Sequence, residues 1–377
     1  MATIYKLKRL KMKKSTILNG LLDAISNYNN IKFIVSISGG KDSKATLIST
    51  IDTFIKRKID LDLIEVIYCD TKFGAQNTID ELKAIEQKLN NDYNIKLTTL
   101  INDKYPNGMN DLILSKNMFP NRLNKFCTVE LKMIPATKYF EKLYADGYKI
   151  INLVGKRRDE SNDRANIRDN EYYSNKRLKM DIWHPIADWS ETDVYDLLHS
   201  TWGIPREYYL GEKRVGCDTC FQSNLGSIAR MSIDKIKEIN LLEDIVSKKR
   251  GEQASYFYRK NNTFNGVAKV SNMVNYAKNY SKKTTLTYHQ RLLVFISNKI
   301  GQKVLRYKFL HYGYIPTKSQ ISKWCNCLVM PPQKYLINIE DIGRDLLSSK
   351  ELLEVFKEKE KKDSRELNCD CESYNLL

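Results

Sequence analysis

The clearest pattern in the chain is a short apolar run that stops at two glycines and resumes at helical spacing. Residues 33–37 read FIVSI, and a β-rich apolar run ended by glycine predicts a buried strand. Beyond it, Ala45, Leu47 and Ile48 recur on one side, which predicts an amphipathic helix. The intervening residues 38–43, SGGKDS, are therefore predicted to form a tight loop between a strand and a helix.

The alternation of strand and helix continues along the chain. Strands that alternate with helices of about ten to fifteen residues predict an α/β fold with a doubly wound parallel sheet, whose ligands lie at the carboxyl ends of the strands. The loop 38–43, Asp70 and Gly155 all fall at such ends. The other predicted strands lie within 61–73 and 148–155, and the predicted helices cover 16–28, 76–90 and 132–146.

The pattern changes beyond about residue 230. Helical stretches joined by polar segments follow, and no strand–helix–strand unit recurs. The chain has 377 residues, of which 42% are hydrophobic and 28% charged, as in a soluble protein with one large domain and an appendage or with two domains. We predict an α/β domain at 1–230 and a mostly helical C-terminal region with a charged tail at 231–377.

Composition also bears on where the protein works. No run of about eighteen apolar residues occurs, so we expect no membrane partner. The basic N-terminus is not followed by an apolar segment and a small-residue cleavage site, so we expect no secretory signal. Eight cysteines in a chain of this size favour metal or redox use over a disulfide framework. We therefore expect a cytoplasmic protein.

The formal net charge of +17 favours a polyanionic partner such as DNA or tRNA. Residues 1–14 hold six basic side chains and no acidic one. The alternative is a compositional bias, because Lys, Asn, Ile and Tyr are frequent throughout the chain.

The loop at 38–43 has the composition of a phosphate-binding loop. Glycine lets the backbone approach a ligand, N–H groups at a helix N-terminus attract anions, and a lysine adds a point charge. The common P-loop pattern G-x-x-x-x-G-K-[ST] does not fit, because it would require glycine in place of Val35. The predicted anion-binding residues are Ser38, Gly39, Gly40, Lys41, Asp42 and Ser43.

S-G-G-K-D-S after an apolar strand resembles the pyrophosphate loop of the PP-loop ATP pyrophosphatases and of the related sulfonucleotide (PAPS/APS) reductases. The resemblance implies a Rossmann-like sheet of the adenine nucleotide alpha hydrolase type. It implies that the loop binds ATP with Mg²⁺, or else PAPS or APS, and that Lys41 and Asp42 are catalytic. It also implies that Asp70 and Thr71, after the second strand, flank the adenosine.

Residues 155–164, GKRRDESNDR, fit the G-x-R-x-x-E-S-x-x-R pattern of PAPS-reductase-like proteins. Guanidinium groups suit phosphate and sulfate oxygens, and a carboxylate can orient an arginine. A solvated charged loop is the alternative. The resemblance implies that Arg157 and Arg164 are catalytic and that Gly155, Glu160 and Ser161 complete the nucleotide site.

Downstream, residues 184–198, HPIADWSETDVYDLL, resemble the family's P-I-x-D-W-x-x-x-D-V segment. We expect Ser190 to cap a helix, and we interpret Asp188 and Trp189 as structural.

Three cysteines are candidate metal ligands. Cys217 and Cys220 form a C-x-x-C pair, and Cys127 precedes a helix, with a spread similar to that of the cluster ligands in iron–sulfur members of the family. Thiolates bind iron–sulfur clusters, and one turn can offer two of them. We predict that Cys127, Cys217 and Cys220 hold a [4Fe–4S] cluster. The alternatives are a redox dithiol and a Zn²⁺ site completed by Cys325 and Cys327 or by Cys369 and Cys371.

Two departures from the reductases affect the predicted reaction. The cluster-bearing reductases have two adjacent cysteines where this chain has Phe126-Cys127. The nucleophilic cysteine of the reductases lies in a C-terminal E-C-G-[LI]-H sequence, whereas the C-terminus of this chain reads ELNCDCESYNLL. The arrangement is similar to that of PP-loop tRNA thiolases and of the sulfur-transfer subunit of DNA phosphorothioation systems.

We therefore predict an ATP-dependent sulfurtransferase that adenylates an acceptor, which we expect to be a nucleic acid, and takes sulfur from a donor protein. The alternatives are a reductase that acts on a small sulfonucleotide, with Cys369 or Cys371 as its nucleophile, and a non-catalytic nucleic-acid-binding subunit that retains a nucleotide pocket.

Overall fold

The computed structural model describes residues 17–209, 215–218, 220–223, 225–257, 269–281, 288–313, 316–325, 335–348, 351–352 and 355. Its strands are β1 (Ile31–Ile37), β2 (Ile64–Cys69), β3 (Leu97–Leu100), β4 (Lys149–Leu153), β5 (Asn170–Ser174) and β6 (Lys179–Trp183). Its α-helices are α1 (Leu21–Asn27), α2 (Lys41–Lys56), α3 (Gln76–Tyr93), α4 (Met109–Lys116), α5 (Phe126–Thr128), α6 (Ile134–Ala145), α7 (Glu191–Ser200), α8 (Arg206–Tyr209), α9 (Leu225–Ala229), α10 (Ile233–Arg250), α11 (Val270–Ser281), α12 (Tyr288–Lys308), α13 (Lys318–Cys325) and α14 (Leu336–Leu346).

The six strands form one sheet in the order β3-β2-β1-β4-β6-β5. All neighbouring pairs are parallel except β5 with β6, which is antiparallel. The predicted α/β fold is confirmed, with the refinement that one edge strand runs against the others. Because consecutive strands spread to both sides of β1, the order reverses between β1 and β4, which is where ligands bind in sheets of this type.

Helices cover both faces of the sheet. On one face, Phe33 and Val35 of β1 pack with Leu47 and Phe54 of α2. On the other face, a second cluster includes Phe140 of α6 and residues of the same central strands. Burial on both faces explains why these strands read as continuous apolar runs rather than as alternating ones.

The described part of the C-terminal region is helical, as predicted. Helices α10 and α11 share a buried cluster with α4, and α12 to α14 share another with α2 and α7. The boundary near residue 230 stays a prediction. Within the described residues, no helix combines the length and the apolar character that crossing a membrane requires.

The predicted cap at Ser190 is confirmed. The Ser190 hydroxyl accepts from the Asp193 backbone N–H at 3.2 Å, and the Ser190 backbone N–H donates to the Asp193 carboxylate at 2.7 Å. This reciprocal capping box fixes the start of α7 beside the loops that follow β1 and β4.

Gly155 lets the loop after β4 approach the first turn of α2. A Cβ at this position would lie 2.8 Å from the Asp42 carbonyl oxygen and 2.8 Å from the Thr46 hydroxyl oxygen. Both distances are shorter than real Cβ contacts, so only glycine allows this approach.

We expect Gly155→Ala to force the two loops apart and to lower the free energy of unfolding by about 1–3 kcal/mol, as overpacking does. Chemical denaturation measures this change. Gly20→Ala is the matched control, because its Cβ would make an ordinary 3.8 Å contact with Trp183. Equal stability of the two variants would contradict the close approach at Gly155.

Candidate functional site

The loop 38–43 is closed by its own hydrogen bonds. The Ser38 backbone N–H donates to the Ser43 hydroxyl at 3.2 Å, and that hydroxyl donates to the Gly40 carbonyl at 3.0 Å. Gly39 has φ +77°, a conformation that favours glycine. The loop ends at the N-terminus of α2, where backbone N–H groups attract anions.

An ion-pair group joins this loop to the loop after β4. The Lys41 ammonium lies 2.9 Å from Asp42 Oδ2, and Arg157 Nε donates to Asp42 Oδ1 at 2.6 Å. Arg157 is only 2% exposed. Burial opposes ionisation of Asp42, but the charges of Lys41 and Arg157 outweigh it and hold the pKa of this carboxyl below its usual value. Two cations, Lys41 and Arg157, therefore share the one ionised carboxylate of Asp42.

Glu160 of the 155–164 motif pairs with Arg164, four residues later. Its negative charge also acts on Arg157. Ser161 accepts from the Arg164 backbone N–H through its carbonyl at 3.1 Å. Of the two predicted catalytic arginines, the structure brings Arg157 to the glycine loop.

The interpretation of Asp188 and Trp189 as structural agrees with their contacts. Asp188 accepts from Arg158, and the Trp189 carbonyl lies 3.4 Å from Arg157 Nη1.

Asp70 and Thr71 form the turn after β2. Asp70 accepts from the Lys72 backbone N–H at 2.8 Å and pairs with the Lys72 ammonium at 2.9 Å. Thr71 is buried, and its hydroxyl lies 4.0 Å from the Cys217 sulfur. Thr71 therefore contacts the C-x-x-C segment, which the sequence did not indicate.

The C-x-x-C segment is attached to the loop between β2 and α3. Gly74 forms an isolated antiparallel bridge with Cys217. The Asp218 backbone N–H donates to the Phe73 carbonyl at 2.8 Å, and the Ala75 N–H donates to the Gly216 carbonyl at 3.0 Å. Backbone pairing thus brings the cysteines to the carboxyl edge of the sheet.

Cys127, Cys217 and Cys220 share one partly buried neighbourhood. Burial, and after it the charge of Cys217, raises the pKa of the Cys127 thiol to about 11. Burial, then Cys217 and Cys127, raise the pKa of Cys220. All three are free of disulfides. Among the described residues, however, no group of three or more His, Cys, Asp or Glu side chains is arranged so that it could hold a metal ion.

The cysteines of the zinc alternative give no ligand geometry. Cys327, Cys369 and Cys371 lie outside the described residues, and Cys325 is described only as the last residue of α13.

Lys132 is a charged neighbour of the cysteines that the sequence analysis missed. Burial raises the pKa of the Cys69, Cys127 and Cys220 thiols, and the positive charge of Lys132 offsets part of that rise. Lys132 belongs to a π-helical turn, Val129–Met133, between α5 and α6. Such a turn adds one residue to the helical repeat, so helical spacing counted from Cys127 does not predict where Lys132 points.

Tyr256 covers the cysteines from the C-terminal region. It is 2% exposed, and its ring lies 6.2 Å from that of Phe73. After burial, the charges of the three cysteines are the main causes that raise its pKa. Buried Glu243 fixes this residue by accepting from the Tyr256 backbone N–H at 2.9 Å, and burial raises the pKa of Glu243 to about 7.

Tyr208 is a further residue of the site that the sequence did not reveal. The Lys41 backbone N–H donates to its hydroxyl at 3.1 Å, and the Lys41 ammonium lies 5.4 Å from its ring centroid. Glu191, the first residue of α7, lies 3.8 Å from the same ammonium. No motif marks Tyr208, because it reaches the loop from 167 residues away.

A family model and several relatives match this chain. The model of the phosphoadenosine phosphosulfate reductase domain matches residues 32–223, just over half of the chain. An uncharacterised protein of Methanocaldococcus jannaschii is 28% identical over 217 residues, which are 57% of this chain and 47% of that protein. This chain thus spans less than half the length of that relative.

Two solved structures are similar at low identity. The phosphoadenylyl-sulfate reductase of Candida auris, solved as a phosphate complex, aligns at 17% identity with a TM-score of 0.38 and covers 56% of this chain and 91% of that one. The FMN adenylyltransferase of Candida glabrata aligns at 17% identity with a TM-score of 0.38 and covers 55% of this chain and 60% of that one.

We expect Lys41→Ala to weaken binding of ATP or an adenylyl sulfate by about 1.5–3 kcal/mol, the scale of a hydrogen bond to a charged group. Titration calorimetry measures the change. Lys56→Ala, at the exposed far end of the same helix, is the control and should leave the affinity unchanged. Equal affinity of Lys41→Ala and the wild type would remove the loop from the nucleotide site.

Proposed function

The chain belongs to the phosphoadenosine phosphosulfate reductase domain family, and within it we propose an ATP-dependent sulfurtransferase. The enzyme binds ATP, adenylates an acceptor with release of pyrophosphate, and transfers sulfur to the acceptor by way of an iron–sulfur cluster. The observation that carries this proposal is that a loop suited to pyrophosphate and a group of three cysteines lie at the same edge of the sheet.

The adenylation step uses the two cations at the loop. The acceptor attacks the α-phosphorus of ATP, the bond to the bridging oxygen breaks, and pyrophosphate leaves with the electron pair. Negative charge grows on this leaving group, beside the N–H groups of α2, Lys41 and Arg157. Groups fixed in place before the reaction stabilise such charge most effectively. Asp42 holds both cations and thus acts as a positioning residue.

Mg²⁺ would enter with the nucleotide phosphates. Both Asp42 oxygens are already bonded to cations, Oδ1 to Arg157 and Oδ2 to Lys41. The structure therefore favours phosphate oxygens over Asp42 as the principal ligands of this ion.

Cys127, Cys217 and Cys220 would hold the proposed [4Fe–4S] cluster. Such clusters require thiolate donors. The three residues are free cysteines that lie close enough to influence one another electrostatically. Such a cluster would supply sulfide, taken from a donor protein, for transfer to the acceptor. The positive charge of Lys132 offsets part of the rise that burial causes in the pKa of Cys127 and Cys220. Attack by sulfide on the adenylated acceptor then displaces AMP.

A sulfonucleotide reductase is the second candidate, favoured by the family match itself. In that reaction Cys369 or Cys371 would be the nucleophile, and both lie outside the described residues. A non-catalytic nucleic-acid-binding subunit that retains the nucleotide pocket is the third.

We expect anaerobic purification to yield a brown protein with about four iron and four sulfide per chain, the content of one cubane cluster. Metal analysis and visible absorption measure this. Cys217→Ala should lose both signals, because it removes one ligand. Cys69→Ala is the matched control, since this cysteine also lies near Lys132 but is outside the proposed set.

The same preparations distinguish the alternatives. Zinc without iron would contradict the cluster and favour a structural site. Activity that is lost in Cys371→Ser but kept in Cys217→Ala, with no pyrophosphate released from ATP, would favour the reductase.

Nucleic acid is the proposed acceptor, and the high positive charge supports it. We expect the logarithm of the affinity to fall linearly with the logarithm of salt concentration, with a slope of about −0.9 per duplex phosphate contacted. Gel-shift titrations of DNA and tRNA measure the slope. Replacing the six basic residues of 1–14 by alanine should make it shallower.

Exchanging Lys248, Lys249 and Arg250, three basic residues exposed at the end of α10, gives a control outside residues 1–14. No binding even at low salt would favour a small-molecule acceptor.

A further inference from the structure

The Tyr208 hydroxyl lies against the glycine loop in a closely packed position. Tyr208 is 5% exposed, and its ring contacts the ring of Tyr195 edge to face at 6.2 Å. A Cβ on Gly40 would be 3.4 Å from the Tyr208 hydroxyl oxygen. The hydroxyl is thus held at the backbone of the loop, where a bound phosphate would lie.

Within the described residues, this hydroxyl accepts a hydrogen bond but does not donate one. A tyrosine hydroxyl has one proton to donate and lone pairs to accept with. One lone pair accepts from the Lys41 backbone N–H at 3.1 Å. Among the residues that the structure describes, none accepts the proton, and the remaining contacts of Tyr208 are with its ring and its backbone.

The protonated form of Tyr208 is strongly favoured. Burial raises the pKa of its hydroxyl far above the usual value, and the charges of Asp42, Glu207 and Glu191 act in the same direction. The group therefore stays a donor across the physiological pH range, and phosphate oxygens are strong acceptors.

We propose that Tyr208 is a phosphate-binding residue, whose hydroxyl donates to an oxygen of the pyrophosphate group in the loop 38–43 while it accepts from the Lys41 N–H. This inference rests on the proposed nucleotide site and adds a contact that the sequence motifs do not contain.

The contact also bears on which nucleotide binds. A donor placed at the loop recognises the β and γ phosphates, because these form the pyrophosphate end. It has no partner in AMP, so its removal should affect ATP and pyrophosphate and leave AMP nearly unchanged.

Tyr208→Phe removes the hydroxyl and keeps the aromatic ring next to the Lys41 ammonium. We expect the dissociation constants of ATP and inorganic pyrophosphate to rise at least about tenfold, the effect of losing one hydrogen bond to a charged group, with less than about a twofold change for AMP. Calorimetry on the full chain measures all three. Tyr139→Phe is the control, because it removes a tyrosine hydroxyl that donates to Glu65 of β2 instead of contacting the loop, and it should change none of them.

The outcomes separate this inference from the proposed function. If the wild type binds neither ATP nor pyrophosphate, the nucleotide site itself is wrong. If the wild type binds both and Lys41→Ala weakens them, but Tyr208→Phe binds pyrophosphate as tightly as the wild type, only the role of Tyr208 is overturned. Equal losses for AMP and ATP would also overturn it, because they indicate a structural role.

A crystal structure of the wild type with pyrophosphate tests the contact without any substitution, should Tyr208→Phe fail to fold. A distance of about 3.2 Å or less between the Tyr208 hydroxyl oxygen and a phosphate oxygen supports the proposal. A separation beyond about 4 Å overturns it.

Discussion

The carboxylate of Asp42 holds together the two loops on which the site depends. Strands β1 and β4 are paired only as far as Val35 with Leu153, so beyond that point no sheet hydrogen bond connects the chain segments that follow them. Asp42 makes this connection by bonding Arg157 from the second loop and Lys41 from its own helix. Removing one partner of such a buried group costs about 3–5 kcal/mol, because a charge is left without compensation.

The charged side chains around this carboxylate differ in how far they are buried. Lys41 and Arg157 are almost fully buried, whereas their other acidic neighbours, Glu191 and Asp159, have side chains that are 34% and 59% exposed. Exposed carboxylates in water hold a cation weakly. An incoming phosphate can therefore displace the outer partners while Asp42 keeps both cations in place, which meets the requirement for groups that are positioned before the reaction.

Local patterns predicted the parts of this arrangement that depend on neighbouring residues. The strand, loop and helix around residues 31–56 and the cap at Ser190 follow from short-range preferences, and the structure has them. Strands β3, β5 and β6 were not predicted, and the antiparallel direction of β5 depends on tertiary pairing that local patterns do not contain. Tyr208 and Lys132 were missed for related reasons, since one reaches the loop across the fold and the other depends on a π-helical turn.

The loop between β2 and α3 connects the glycine loop with the segment that bears the C-x-x-C pair. It carries the bridge from Gly74 to Cys217, and α3, which follows it, places Thr78 3.0 Å from the Cβ position of Gly39. Val215, two residues before Cys217, lies 3.6 Å from the same position. The segment that bears the C-x-x-C pair therefore contacts the glycine loop directly. In the proposed reaction, an acceptor activated at the loop would meet the cysteines without crossing the sheet, because the loop and the C-x-x-C segment both lie at the carboxyl ends of neighbouring strands.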